Sequence, residues 1–255
     1  MRICVYKDSL STGRGADGAV KNLASGLRER GHDVALMEKP EFFARVLDAG
    51  KAAEHRNGGD AGNEFDVVVP TGSNEIVDLD SAGYFDRPSR AKVVLQLHLA
   101  PRGFFKWKHP FRNRRIRAAF DKPDAVQVLC GSYVDAFRRL APHPRVAVIG
   151  NYAEIASFEG ARPEPIILYP AAAAQFSLAA VVQNGLPGAE DIVTDDTGIV
   201  TEPTVSAYAG GVRRMMADEV LRCRLGEGSR KHCEDCYSRA KILDQWESLL
   251  ESVVK

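Results

Sequence analysis

Gly13-Arg14-Gly15, with Gly18 just beyond, separates an apolar run, Ile3 to Tyr6, from a helix-spaced set, Ala19, Val20, Leu23, Ala24 and Leu27. Glycines allow backbone N–H groups to approach a phosphate closely. The free N–H groups and dipole of a helix N-terminus favour an anion there. Arg14 would add a full positive charge. The spacing of 13, 15 and 18 also fits the G-x-G-x-x-G fingerprint of dinucleotide sites, which asks for an acidic residue about 20 residues further on. Glu38 stands there. The plainer alternative is a turn that needs glycine only for its backbone freedom. The loop, between Ser11-Thr12 and Asp17, is longer and more open than a dinucleotide turn, which weighs against a nicotinamide cofactor.

His98 closes another apolar run, Lys92 to Leu97. In open α/β sheets ligands bind at the carboxyl ends of strands, so a histidine there can face a ligand. It could equally be a capped strand end. Pro101 to Phe120 follows, with seven cations and no acid: Arg102, Lys106, Lys108, Arg112, Arg114, Arg115 and Arg117. Phe104, Phe105, Trp107 and Phe111 interleave with them. Such a mixture suits an anionic lipid surface or a phosphorylated glycan. It also suits nucleic acid, whose bases stack on aromatics, although that reading is the weaker. A solvated helix anchored by a few aromatics is the remaining alternative. Near the C-terminus His232-Cys233-Glu234-Asp235-Cys236, with Cys223, holds one C-x-x-C. A structural zinc site ordinarily shows two such knuckles, so ordinary buried cysteine is the better reading and no metal site is assigned.

The elements that must position these residues alternate strand and helix. Ile3 to Tyr6, the loop, the 19–27 helix closed by Gly31, and Val34 to Met37 form one βαβ unit, which should be parallel and right-handed. A helix over Glu41 to Ala53 and a polar glycine-rich loop over Glu54 to Glu64 come next. Strands follow at Phe65–Val69, Lys92–Leu97, Asp124–Cys130 and Arg145–Ile149, with a helix at Ser132–Leu140. About six strands before residue 150 make a complete Rossmann-like domain with a parallel sheet. A linker over Asn151 to Glu164 opens a second α/β pattern. It has a strand at Ile166–Tyr169, a helix at Phe176–Gln183, and extended pieces at Ile192-Val193 and Gly198–Val200. Helices at Thr204–Ala217, Glu219–Gly226 and Arg239–Val253 complete it. The domains expected are therefore 1–152 and 153–255.

The 255 residues can bury one large core or two small ones. Zero net charge removes any global pull toward nucleic acid or membrane, so such a pull must be local. No apolar run approaches a membrane span, and no signal-peptide pattern precedes the first strand. The five cysteines are scattered and odd in number, which suits a reducing compartment. These features point to a cytoplasmic protein, with any membrane contact peripheral and on the inner face.

The order and wording of these pieces resemble the group 1 (family 4) glycosyltransferases of the GT-B fold. Asn22-Leu23-Ala24-Ser25-Gly26-Leu27-Arg28-Glu29-Arg30-Gly31-His32-Asp33-Val34 is similar to that family's first helix and second strand. Phe65-Asp66-Val67-Val68, Val93 to His98, Asp124 to Ser132 and Val146 to Asn151 resemble its later first-domain segments. Thr194 to Pro203, Leu225-Gly226 and the helix around Tyr237 to Trp246 resemble its C-terminal end. The resemblance implies two Rossmann-like domains and transfer of a sugar from a nucleotide-sugar to a glycan or lipid-linked acceptor, with no resident cofactor. It puts Gly13, Arg14 and Gly15 near the donor diphosphate and His98 near the transferred sugar. Ser177 and Leu178 would stand on the donor side, and the basic stretch, Arg102, Lys106, Trp107, Lys108, Arg112, Arg114 and Arg115, on the acceptor or membrane side.

The second half departs from that pattern. Its first strand leads into Tyr169-Pro170-Ala171-Ala172-Ala173-Ala174-Gln175, with no cation to neutralise a diphosphate. The family's glutamate pair falls on Ala174 and Val182. The strand expected after Gly185-Leu186-Pro187 is missing, so this domain reads as internally shortened. A diphosphate leaving group without a cation clamp loses several kcal/mol of stabilisation. Two functions therefore stay open: a glycosyltransferase acting in cell-surface polysaccharide or lipopolysaccharide synthesis, and a catalytically degenerate relative that binds a partner or acceptor. A NAD-dependent enzyme is a distant third.

Overall fold

The structure is a computed structural model, and it describes residues 1–11, 15–48, 64–105, 108–152, 180–183 and 189–255. Packing divides the chain into two units. Met1–Leu129, Tyr133–Ile149 and Leu243–Lys255 form the first, and Cys130–Ser132 with Gly150–Ile242 form the second. The sequence division at 152 assigns the last segment to the second domain; packing groups it with the first.

In the first unit, β1 (Arg2–Lys7), α1 (Gly15–Glu29), β2 (Asp33–Glu38), β3 (Val67–Pro70), α3 (Ser73–Ser81) and β4 (Lys92–Gln96) alternate, with α2 (Lys39–Phe42) after β2. Then come α4 (Pro110–Phe120), β5 (Ala125–Val128), α5 (Gly131–Arg138) and β6 (Val146–Val148). The six strands pair in parallel in the order β2-β1-β3-β4-β5-β6. β1 and β3 to β5 are almost wholly buried, which explains why they read as continuous apolar runs without alternation. Parallel pairing gathers the loops after β1, β3, β4 and β5 at one edge of the sheet, where ligands bind in such folds.

The βαβ reading of the first 37 residues holds. Val20, Leu23, Ala24 and Leu27 form the buried face of α1. Gly31, at φ 85°, ends the helix: its N–H donates to the Arg28 carbonyl, and that of His32 to the Leu27 carbonyl. Two boundaries move. α1 begins at Gly15, so the glycine loop is shorter than expected and Asp17 lies in the first helical turn. The expected helix from Glu41 starts earlier, as α2, and widens into a π-helical turn over Phe43–Asp48. There Phe42 stacks on Tyr6, with ring centroids 4.0 Å apart.

The last helix, α9 (Arg239–Val254), turns Leu243, Trp246, Leu249, Leu250 and Val253 inward. A side chain at Gly26 would meet Leu243 at 2.7 Å, so this glycine permits the approach of α1 and α9. Arg30 donates to Asp244 and Glu247 at 2.5 Å each, and His32 lies 2.8 Å from Glu247.

At the opposite edge of the sheet Asp124 links β4 to β5. It accepts from Arg90 at 2.6 Å and from the Val93 backbone N–H at 2.9 Å, and Lys92 stands 3.6 Å away. Burial raises its carboxyl pKa, but these donors and charges outweigh that and hold it below the usual range. A carboxylate lowered in the fold stabilises it above its unfolded pKa, about 3.9, and that contribution is lost as pH falls through the folded value. Asp124→Asn is expected to cost about 1–3 kcal/mol at neutral pH and to flatten the acid limb below about pH 4, read by denaturant titration across pH.

The second unit holds β7 (Ala180–Gln183), α6 (Ala189–Ile192), β8 (Gly198–Thr201), α7 (Val205–Ala217) and α8 (Glu219–Tyr237). β7 and β8 pair in parallel, Ala180 opposite Gly198 and Gln183 opposite Thr201. This corrects three expectations. Phe176–Gln183 does not end as a helix, because Val181 and Val182 belong to a strand, and valine pairs favour that pleated surface. After Gly185-Leu186-Pro187 the next described element is α6, and β7 precedes that segment. Val182, taken as one of the glutamate positions, is buried in β7. Ile192 closes α6 instead of extending a strand. α8 runs on past Gly226 to Tyr237, and within it Gly228 permits close packing: a side chain there would strike the Asp196 carbonyl. Thr204 and Asp218 cap α7 and α8 by accepting from the N–H groups of Ala207 and Leu221.

Candidate functional site

Four polar residues meet at the carboxyl edge of the first unit's sheet. Lys7 ends β1, His98 follows β4, Asp17 lies in the first turn of α1 and Glu75 in the first turn of α3. Glu75 is buried and accepts from Lys7 Nζ at 3.1 Å and from the Asp8 N–H at 3.0 Å. This fastens the end of β1 to the start of α3. Between them Gly72 sits at φ 154°, and a side chain there would meet Glu75 Oε2 at 2.8 Å, so only glycine leaves the carboxylate in place.

His98 stands apart from this pairing. Both ring nitrogens are buried and neither has a hydrogen-bond partner among the described residues. Burial, and then the Lys7 charge, push its pKa down to about 4, while Asp17 pulls the other way. At neutral pH the ring is uncharged and offers one N–H donor and one lone pair. That set matches a hydroxyl group, which also both donates and accepts. It is a poor match for a phosphate, which asks for donors or positive charge. Gln96, on the same side of the chain two residues earlier, pairs in register with Gln127 of β5. Both are buried, each with Oε1 unpartnered among the described residues. Unpaired buried polar atoms are uncommon, so three such side chains on adjacent strands mark a place where folding stability has been set aside.

Of the residues singled out in the sequence, His98 and Gly15 fall at this edge. Gly13, Arg14, Lys106, Trp107, Ser177 and Leu178 lie outside the described residues, as does the side chain of Arg102. The basic stretch divides by role. Arg112 donates to the Phe104 carbonyl at 3.0 Å and reaches Asn74, and Arg115 donates to Ser81 at 2.6 Å. Arg117 lies over the Phe105 ring. Lys108 and Arg114 are exposed. Lys7, Asp17, Glu75, Gln96 and Gln127 were not anticipated. The one available signal was a charged or amide residue interrupting or closing an apolar strand, as Lys7 and Gln96 do. Glu38, which a dinucleotide site would turn toward a ribose, instead accepts from the Leu10 N–H at 2.5 Å.

All five cysteines are free, and Cys236 Sγ lies 3.8 Å from His232 Nδ1. Among the described residues no group of three or more His, Cys, Asp or Glu side chains is placed to hold a metal ion. No helix among them is long and apolar enough to cross a membrane.

No family model matches the chain, and no curated protein is similar to it in sequence. Its fold has clear relatives. A sucrose-phosphate synthase from Thermosynechococcus elongatus superimposes with a TM-score of 0.70 at 12% identity, over 99% of this chain and 99% of that one. HepE from Anabaena, solved with UDP-glucose, gives 0.71 at 12% identity, over 99% and 100%. TarM gives 0.55 at 11% identity, over 72% of this chain and 54% of that one. The chain is an α/β protein with the GT-B-like fold of these glycosyltransferase structures. At such identities the likeness is one of fold.

Proposed function

We propose that this protein is a glycosyltransferase that moves a sugar from a nucleotide-sugar donor onto an acceptor hydroxyl of a cell-surface glycan or lipid-linked molecule. The observation that carries the reading is His98: neutral, with both nitrogens buried and unpartnered among the described residues, at the sheet edge where this fold binds ligands. One substrate hydroxyl accepting from the ring N–H and a second donating to the other nitrogen would satisfy the pair. The fold shared with HepE, a protein solved with UDP-glucose, supports a nucleotide-sugar as donor.

In the transfer the bond between the anomeric carbon and the diphosphate oxygen breaks, and its electron pair leaves on the nucleoside diphosphate. The acceptor oxygen bonds to that carbon, and the hydroxyl proton ends on the released diphosphate. With a pKa of about 4, His98 is too weak a base to hold that proton at neutral pH. Its part is to orient a hydroxyl. Arg14, beside the start of α1, is the cation best placed by sequence to meet the diphosphate.

Isothermal titration with UDP, GDP and ADP tests the reading. One nucleotide should bind with micromolar affinity, and Arg14→Ala should weaken it about 10- to 100-fold, as expected for loss of a charge-assisted contact. No heat from any of them, with a protein that melts cooperatively, would overturn it. The second reading, a non-catalytic binding protein, is favoured by one specific observation: Ile166 to Gln175 contains no cation. That reading predicts binding without turnover.

A further inference from the structure

We infer that the outward face of α4 docks this protein onto an anionic lipid surface. α4 buries Ile116, Ala119 and Phe120 and contains no acidic residue. Its opposite face, by helical spacing, is Phe111, Arg114, Arg115 and Ala118, all exposed. Phe111 is 86% exposed, so a whole aromatic ring stands in solvent one turn from two arginines, with exposed Lys108 just before the helix. The chain as a whole carries no net charge, so this face is a local concentration of positive charge.

The geometry separates lipid from nucleic acid. A single strand stacks its bases on successive exposed rings. Here Phe104 and Phe105 turn inward and pack edge-on against Phe120, at 5.7 and 6.2 Å. Among the described residues of this stretch Phe111 is the aromatic left in solvent, an apolar wedge beside cations, the combination that seats a helix in the headgroup region. Arg112, Arg115 and Arg117 are occupied with Phe104, Asn74, Ser81 and Phe105, which holds the helix firmly under that face and leaves Lys108 and Arg114 as its outward cations. Because α4 follows β4, its first turn lies at the same sheet edge as His98. A docked α4 would bring that edge to the lipid surface, where a lipid-linked acceptor would be found. Docking itself requires neither donor nor transfer.

Co-sedimentation of the full chain with vesicles tests it, using phosphatidylcholine alone and phosphatidylcholine with phosphatidylglycerol. The protein should bind the anionic vesicles at least about 10-fold more tightly, with binding falling as salt rises. Lys108→Glu with Arg114→Glu should abolish the preference. Phe111→Ser should weaken binding about 5- to 10-fold, and Ala118→Glu should weaken it without removing any existing contact. Circular dichroism melts of each variant should match the parent. Equal binding to both vesicles, no binding to either, or tighter binding to a single-stranded oligonucleotide through Lys108 and Arg114 would overturn the inference. None of these outcomes bears on nucleotide binding, so the two readings fail separately.

Discussion

Replacing His98 with leucine is expected to make the protein more stable and inactive. Leucine is close in volume but brings no polar atoms. It therefore removes two buried nitrogens that have no partner among the described residues, each of which costs roughly 1–3 kcal/mol when left without one. A net gain of about 1–3 kcal/mol should raise the melting temperature by roughly 2–6 °C. Sugar transfer should fall at least about 100-fold, since the group proposed to orient a substrate hydroxyl is gone. The pH dependence carries a further signature. His98 has a folded pKa of about 4, below the ordinary 6.5, so between these values the unfolded chain holds more protons. Stability from this group is fully present above pH 6.5 and drains away as pH falls toward 4. His98→Leu should remove that slope. A variant that melts lower and keeps its activity would mean the ring is an ordinary part of the core.

Gly228→Ala should destabilise the second unit by about 3 kcal/mol, against the usual sign for a helix. Within a helix alanine is favoured over glycine by about 1 kcal/mol. Gly228 lies in the interior of α8, but there a methyl group would overlap the Asp196 carbonyl oxygen, a backbone atom that cannot rotate away. Ser229, the next residue, donates to the Thr197 carbonyl at 2.8 Å, and buried Thr197 ties the same turn together by accepting from the Thr194 N–H. Separating α8 from this turn would break the Ser229 bond and open the contact around Leu225 and Met215. Thermal melts followed by tryptophan-independent far-UV signal give the measurement. Alanine that is neutral or stabilising would show that α8 does not pack this closely.

The sequence was most legible where apolar runs were long. β1 and β3 to β5 are buried on both faces, so each reads as a mainly apolar stretch without alternation, and Gly31 marks the end of α1. Reading failed where elements are short and tertiary packing decides. β7 has four residues following a run of alanines, and it read as helix until its pairing with β8 was seen. Gly226 reads as a helix stop, yet α8 continues: Leu225, Ser229 and Cys233 bury one face of it, and Gly228 is a contact position. The site divides the same way. His98 was visible because its strand was visible. Lys7 and Glu75 were not, since 68 residues separate two groups that only the parallel topology brings together. Asp17 was hidden by a loop that turned out to be helix.

The central claim is that the chain transfers sugar at a site containing His98. Its most direct test is release of nucleoside diphosphate from a panel of UDP-, GDP- and ADP-sugars in the presence of glycan and lipid-linked acceptors, with wild type and His98→Leu side by side. The account predicts that wild type consumes one donor class and that the variant, folded and melting no lower, is at least about 100-fold slower. Consumption of no donor by a protein that melts cooperatively, or equal rates in both proteins, would contradict it.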